Sequence, residues 1–330
     1  MCSSDAVGKT AVVTGGNSGI GKETVLELVR SGKYGRIFMP CRNVESGLKA
    51  KEDIQKATLK GGSETELIVS SCDLSSFDSI RKFADEYKSA STSCDLLVNN
   101  AGVMMIPELR YTTDGYEEHL GVNFLSHFLL TSLMLDSLAA SQAPRIINVS
   151  SAANSFGKFD FDDMNYAGAN RYDPWQAYGN SKLANLVFTF ELHRRLREAG
   201  LGHVATNAVH PGLVATNLGR HMNQFSVQFL SLFTGLFVLT PEEGARVQVD
   251  LSLAPRFEGV SGRYYADQTF KFNRGVYKEE DVMISKQAKD AAVASKLWEY
   301  GNETTKASWE PLEGAAKQKA KQTLEAPIQG

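Results

Sequence analysis

The chain has 330 residues, 42% of them hydrophobic and 22% charged, with a formal net charge of −3. That length holds one large α/β domain or two small ones with a sizeable core, and the charge leaves no basic footprint for nucleic acid. Cys2, Cys41, Cys72 and Cys94 lie far apart with no CxxC, and the six histidines show no HExxH spacing, so reduced core thiols and no metal site are expected.

The N-terminus, "MCSSDAVGKTAVVTGG", shows no basic segment followed by an apolar one, so no signal peptide is read there. Short β-branched runs then alternate with amphipathic stretches. Strands are expected at 10–15, 36–43, 66–74, 94–102, 145–151, 203–212 and 259–268. Helices are expected at 19–32, closed by Gly32, at 44–58, at 76–89 with Ser76 and Asp78 near its start, and at 114–138. A further helix carries "QAYGNSKLANLVF" (176–188). Another covers 240–255, where Thr240, Pro241 and Glu243 spell a capping box. Such alternation argues for a parallel sheet covered on both faces, and right-handed crossovers make it doubly wound. The expected fold is therefore a single Rossmann-like domain over 1–302, with a seven-stranded, mainly parallel sheet. The Lys-rich stretch 303–330 has almost no core pattern and is read as a polar tail, disordered or loosely docked.

No run of 18 apolar residues exists, so no membrane-spanning helix is expected. "FSVQFLSLFTGLFVL" (225–239) is the most apolar stretch. It reads as a lid packed on its own domain, or as a surface for peripheral membrane or lipid-droplet contact. A cytoplasmic location is expected, with membrane or organelle association and a homodimer both left open.

"TGGNSGIG" (14–21) follows the first strand and opens the first helix. A glycine-rich turn there aims backbone N–H groups and a helix N-terminus at a pyrophosphate. Gly15 permits the tight turn, Gly19 the close approach and Gly21 the helix–strand packing, with Asn17, Ser18 and Ile20 between them. The second strand ends in Arg42 with no acid before Glu45. A carboxylate would hold the ribose hydroxyl of NAD; a guanidinium binds a 2′-phosphate, so NADP(H) is expected. Lys22 would add to the positive field. Asp73 either bonds the adenine amine or caps a helix, and Leu74 follows it.

Tyr178 and Lys182 share one helix face, and a cation within about 4–6 Å lowers a phenol's pKa from about 10. Tyr178 would then be general acid in carbonyl reduction and general base in alcohol oxidation. Ser150 and Ser151 end the fifth strand and point to opposite faces, so one of them donates to the substrate oxygen. Asn123 stands mid-helix, where Asn is a poor helix former. Pro211 and Gly212 break regular structure and free backbone groups near Val214. Thr216 could contact a phosphate or the nicotinamide carboxamide, whereas His210 reads as a packed strand-end residue and the Met104–Met105 pair as core or pocket wall.

The glycine turn, "NNAG" (99–102) with Asn100, Ala101 and Gly102, Asn123, the serine pair, YxxxK and "HPG" occur in that order. Together they resemble the short-chain dehydrogenase/reductase family over roughly residues 8–300. "NNAGVMM", "TPEEGA" and "GVSGRYYAD" are similar to its retinol-dehydrogenase-like branch. The resemblance favours Ser151, implies a backbone and water relay from Asn123 to Lys182, and has Lys182 bond the nicotinamide ribose. It implies a catalytic set of Asn123, Ser151, Tyr178 and Lys182 acting on a lipophilic aldehyde, ketone or alcohol. The rival readings are a catalytically idle NADPH-binding module and a light-dependent reductase of the protochlorophyllide type.

Overall fold

The computed structural model describes residues 8–61, 64–168, 171–212, 214, 239–267, 277–279 and 284–312. Seven strands run parallel: β1 (Lys9–Val13), β2 (Tyr34–Cys41), β3 (Glu66–Ser71), β4 (Leu96–Asn99), β5 (Arg145–Val149), β6 (Ala205–His210) and β7 (Tyr264–Asp267). An eighth strand that the sequence does not announce, β8 (Tyr277–Glu279), pairs antiparallel with β7. The order β3-β2-β1-β4-β5-β6-β7-β8 reverses direction between β1 and β4. That reversal opens a crevice at the carboxyl ends of the strands, where doubly wound sheets take their ligands.

Helices cover both faces. On one side α1 (Gly19–Arg30), α2 (Val44–Thr58) and α6 (Pro241–Leu253) bury Val25, Leu28, Ile54, Val247 and Leu251 against the sheet. On the other lie α3 (Phe77–Ala90), α4 (Ser126–Ala139), α5 (Pro174–Glu198) and α7 (Ala291–Thr305). The ends follow local chemistry. Gly32 closes α1 at φ +63°. Asn43 and Ser76 accept from the Ser46 and Ser79 amides at the starts of α2 and α3. The capping box at Thr240 and Glu243 is formed as expected.

Two boundaries differ from the expected ones. The helix read from residue 114 begins after Glu117, because Gly115 at φ +83° and the Asp114 carboxylate, which accepts from the Phe77 amide, make a turn there. Its first stretch, Leu120–Leu125, is a π-turn that contains Asn123. The stretch Leu120–Ala139 is long and apolar enough to cross a membrane, yet its most apolar 18-residue window is 78% buried, as in a core helix.

The domain also runs past residue 302. α7 continues to Thr305, and Trp309 and Leu312 are buried. The Trp309 ring lies 4.5 Å from Trp298 and 5.1 Å from Phe128, and its Nε1 donates to Asn302 at 2.9 Å. The start of the expected polar tail thus belongs to the core. One tryptophan among lysines carries too little periodicity to be read as packing. Trp309→Ala should cost about 3–5 kcal/mol, measured by denaturant unfolding.

Candidate active site

A cavity of about 580 Å³ runs along the crevice. Gly15, Asn17, Ser18, Gly19, Ile20 and Gly21 line one part of it. Gly15 and Gly19 hold φ of +67° and +52°, the region that glycine enters freely. A Cβ on Gly21 would lie 2.3 Å from the Gly15 carbonyl oxygen, so nothing larger lets α1 close on the turn. Ser18 is the N-cap of α1 but makes no side-chain cap bond, which leaves the first-turn N–H groups for a ligand. The residues present therefore fit a dinucleotide pyrophosphate.

The turn is held from β4. Thr14 Oγ1 accepts from the amides of Asn100 and Ala101 at 2.9 and 3.0 Å, and Asn100 Nδ2 donates to the Thr14 carbonyl at 2.8 Å. Asn100, Ala101 and Gly102 all line the cavity.

At the far end of β2, Arg42, Asn43 and Ser46 line the cavity. Arg42 is exposed, and among the described residues no acid pairs with it. Asn17 Nδ2 donates to Ser46 Oγ at 3.0 Å, joining the glycine turn to α2. Lys22, expected to strengthen the local positive field, is instead paired with Asp53 at 2.7 Å. Asp73 lines the cavity beside Leu74, and its Oδ1 accepts from the Ser75 amide and hydroxyl at 2.9 and 2.8 Å. Ser76, not Asp73, is the N-cap of α3.

The catalytic candidates meet at the carboxyl ends of β4, β5 and β6. Lys182 is 4% exposed; its Nζ donates to the Val149 carbonyl at 3.0 Å and lies 5.8 Å from the centre of the Tyr178 ring. Burial pushes this ammonium down to about 8. Burial likewise pushes the Tyr178 phenol up to about 12, with the Ser151 hydroxyl bonded to it pulling partly the other way. The expected lowering of the phenol by Lys182 is thus absent: desolvation dominates, and the group that pulls the phenol back is Ser151.

The serine pair is separated as the strand alternation requires. Ser150 Oγ is spent on the Lys182 carbonyl at 2.7 Å, and Ser151 Oγ faces Tyr178. Asn123 is fully buried behind the cavity wall. Its Oδ1 accepts from Val103 N at 2.7 Å, and its Nδ2 donates to Val103 O at 2.9 Å and Ser181 Oγ at 2.8 Å.

Pro211, Gly212 and Val214 line the same cavity after β6. Thr216 and residues 225–238 lie outside the described residues. Two histidines exceed what the sequence suggested. His210 lines the cavity, and its buried Nδ1 has no partner among the described residues. His127 is buried: Nδ1 donates to the Asn123 carbonyl at 3.0 Å, and Nε2 meets Thr14 Oγ1 at 2.9 Å. No spacing rule flags either one, since only the crossing of β1 with α4 brings Thr14 to His127.

Burial holds both rings down to about 4, against 6.5 for a free imidazole. The folded rings stay neutral while the unfolded ones take up protons below about 6.5. Their contribution to stability is therefore complete above pH 6.5 and is lost as pH falls towards 4. Urea midpoints at pH 7.0, 5.5 and 4.5 should fall less steeply in His127→Gln than in the parent.

Residues 9–163 match the short chain dehydrogenase family profile. Mouse retinol dehydrogenase 12 is 39% identical over 303 residues, covering 92% of this chain and 88% of that protein. Human retinol dehydrogenase 13 is 42% identical over 295 residues, covering 88% and 82%. An uncharacterized protein of Mycobacterium paratuberculosis superposes with a TM-score of 0.70 at 32% identity, over 91% of this chain and 94% of that one. The Pseudomonas aeruginosa RhlG/NADP complex shares the fold at a TM-score of 0.59 and 24% identity, over 79% and 95%. With these relatives and this crevice, the chain belongs to the short-chain dehydrogenase/reductase family, as a retinol-dehydrogenase-like oxidoreductase.

Proposed function

We propose that the protein transfers a hydride between NADP(H) and a lipophilic aldehyde, ketone or alcohol. The observation that carries this reading is one continuous crevice with a glycine turn and Arg42, which no acid among the described residues pairs with, at one end and Ser151, Tyr178 and Lys182 at the other. The nicotinamide supplies or accepts the hydride. Everything else falls to the chain's own residues.

Gly15 through Gly21 and the N-terminus of α1 would take the pyrophosphate. Arg42, with Asn17, Asn43 and Ser46 near it, would take a 2′-phosphate, since a guanidinium pairs with its oxygens bidentately. Asp73 and Leu74 would flank the adenine, and Asn100, Ala101 and Gly102 the nucleoside sugars. Pro211, Gly212 and Val214 would face the carboxamide. Ser151 Oγ would donate to the carbonyl oxygen and stabilise its developing charge. Tyr178 would then hand its proton to the alkoxide, with Lys182 close enough to steady the phenolate left behind and to bond the ribose. A phenol raised to about 12 keeps its proton at neutral pH, the form that reduction needs. Asn123 fixes the Val103 segment, and in the relay that the resemblance implies its backbone would connect to Lys182 through water.

The apolar substrate rests on two supports. Val103, Met104 and Val122 line the cavity near Tyr178. The relatives' names also specify retinol, an apolar alcohol.

Tyr178→Phe should lower kcat by about 10²–10⁴-fold while NADPH still binds, read from nicotinamide absorbance across an aldehyde, ketone and alcohol panel. Full activity in this variant would remove the proton-donor role. Arg42→Asp should weaken NADPH about tenfold or more and leave NADH nearly unchanged, measured by titration calorimetry. Tighter NADH than NADPH binding in the parent would overturn the cofactor assignment.

A further inference from the structure

Beside Tyr178 lies a buried acid–base pair that the proposed chemistry does not use. Glu117 and His119 are 1% and 0% exposed, and Glu117 Oε1 meets His119 Nδ1 at 2.7 Å. The same carboxylate accepts from the His119 amide at 3.0 Å and the Leu120 amide at 2.8 Å, where the π-turn of α4 begins. The other ring nitrogen, Nε2, accepts from the Ile106 amide at 3.3 Å. An amide only donates, so Nε2 carries its lone pair and the proton sits on Nδ1, facing the carboxylate. His119 is thus a neutral imidazole with both nitrogens committed.

Its ring packs edge-on against the Tyr178 ring, centroids 6.0 Å apart at 65°. Its second load is the loop after β4. Met105 has φ +56°, a conformation unfavourable for a non-glycine residue that needs support from its surroundings. The support is at Ile106. His119 takes the Ile106 N–H, and the Tyr172 hydroxyl donates to the Ile106 carbonyl at 2.8 Å. Met104, on the other side of the strained residue, lines the cavity.

We propose that Glu117 and His119 are a positioning pair: the carboxylate fixes the imidazole, and the imidazole sets both the Tyr178 ring and the Met104–Ile106 wall. Tyr172 completes the clamp from the segment before α5. The pair touches no reacting atom. Its role rests on the reading of Tyr178 as proton donor. A neutral ring locked on three sides is suited to this task, since it places no second cation beside the phenol and Lys182.

The test uses the full chain with NADPH and decanal. His119→Phe keeps an aromatic ring of similar size but cannot bond Glu117 or Ile106. It should lower kcat about tenfold or more, as small misplacements of a reacting group do, with NADPH Kd within about twofold of the parent. Glu117→Gln should also lower kcat, and the double variant should be no worse than His119→Phe alone, because the two act as a unit. A folded, NADPH-binding His119→Phe with kcat within about twofold of the parent overturns the proposal, as do losses that multiply in the double variant. Tyr172→Phe removes one hydroxyl and little packing, and it reports on the clamp should His119→Phe not fold. An increase of about threefold or more in the KM for decanal is expected, and unchanged kcat and KM overturn the proposal. Tyr178→Phe, run alongside, separates the two levels. If it remains active, the proton-donor reading fails; if it is dead while His119→Phe is not, only the positioning pair fails.

Discussion

The buried ammonium of Lys182 is the constraint around which this site is arranged. Removing a charge from water costs several kcal/mol unless partners replace the lost hydration. Here the principal partner is a strand-end carbonyl, Val149 O, which also accepts from Asn185 Nδ2 at 3.1 Å. Ser150 then ties the Lys182 carbonyl back to β5. Helix α5 is thereby stapled to the end of β5 at the position that aims Tyr178 into the crevice. The space around the ammonium is tight: a Cβ on Gly102 would stand 3.5 Å from Lys182 Nζ and 3.0 Å from Asn123 Oδ1.

Polar groups this deep must be paired, and the pairing connects the two halves of the crevice. Thr14 follows the first strand, holds the Asn100 and Ala101 amides and meets His127. His127 passes the link to the Asn123 carbonyl, and the Asn123 side chain passes it to Val103. One chain of hydrogen bonds therefore runs from the cofactor turn to the wall beside Lys182. The π-turn at Leu120–Leu125 is where this chain meets α4, and an extra residue per turn there lets an asparagine stand mid-helix without idle polar atoms.

Proximity of a cation and a phenol did not decide the phenol's acidity. Tyr178 and Lys182 lie one turn apart as their spacing requires, yet both are pushed towards their neutral forms, because burial removes both from water. The consequence is a site that holds its proton ready at neutral pH. The edge-on packing of a neutral His119 is consistent with the same economy of charge around Tyr178.

Much of the fold was legible because its signals are local. Strand–helix alternation, the glycine turn, the Thr240 capping box and the Tyr178–Lys182 spacing each lie within a few residues, and the expected elements are found near their observed bounds. The residues expected from sequence to hold a cofactor, where they lie in the described regions, all line one cavity. What was not legible depends on contacts between distant segments. The burial of Trp309, the ion pair that takes Lys22, the choice of Ser151 over Ser150 on geometric grounds and the roles of His127, His210 and Ser46 all needed neighbours far along the chain. The sequence by itself determined the sheet, the order of the motifs and the chemistry-bearing residue types, since backbone propensity and side-chain periodicity are short-range. Only the tertiary structure decided which of those groups are desolvated, and hence which keep their protons, because burial belongs to the packed whole.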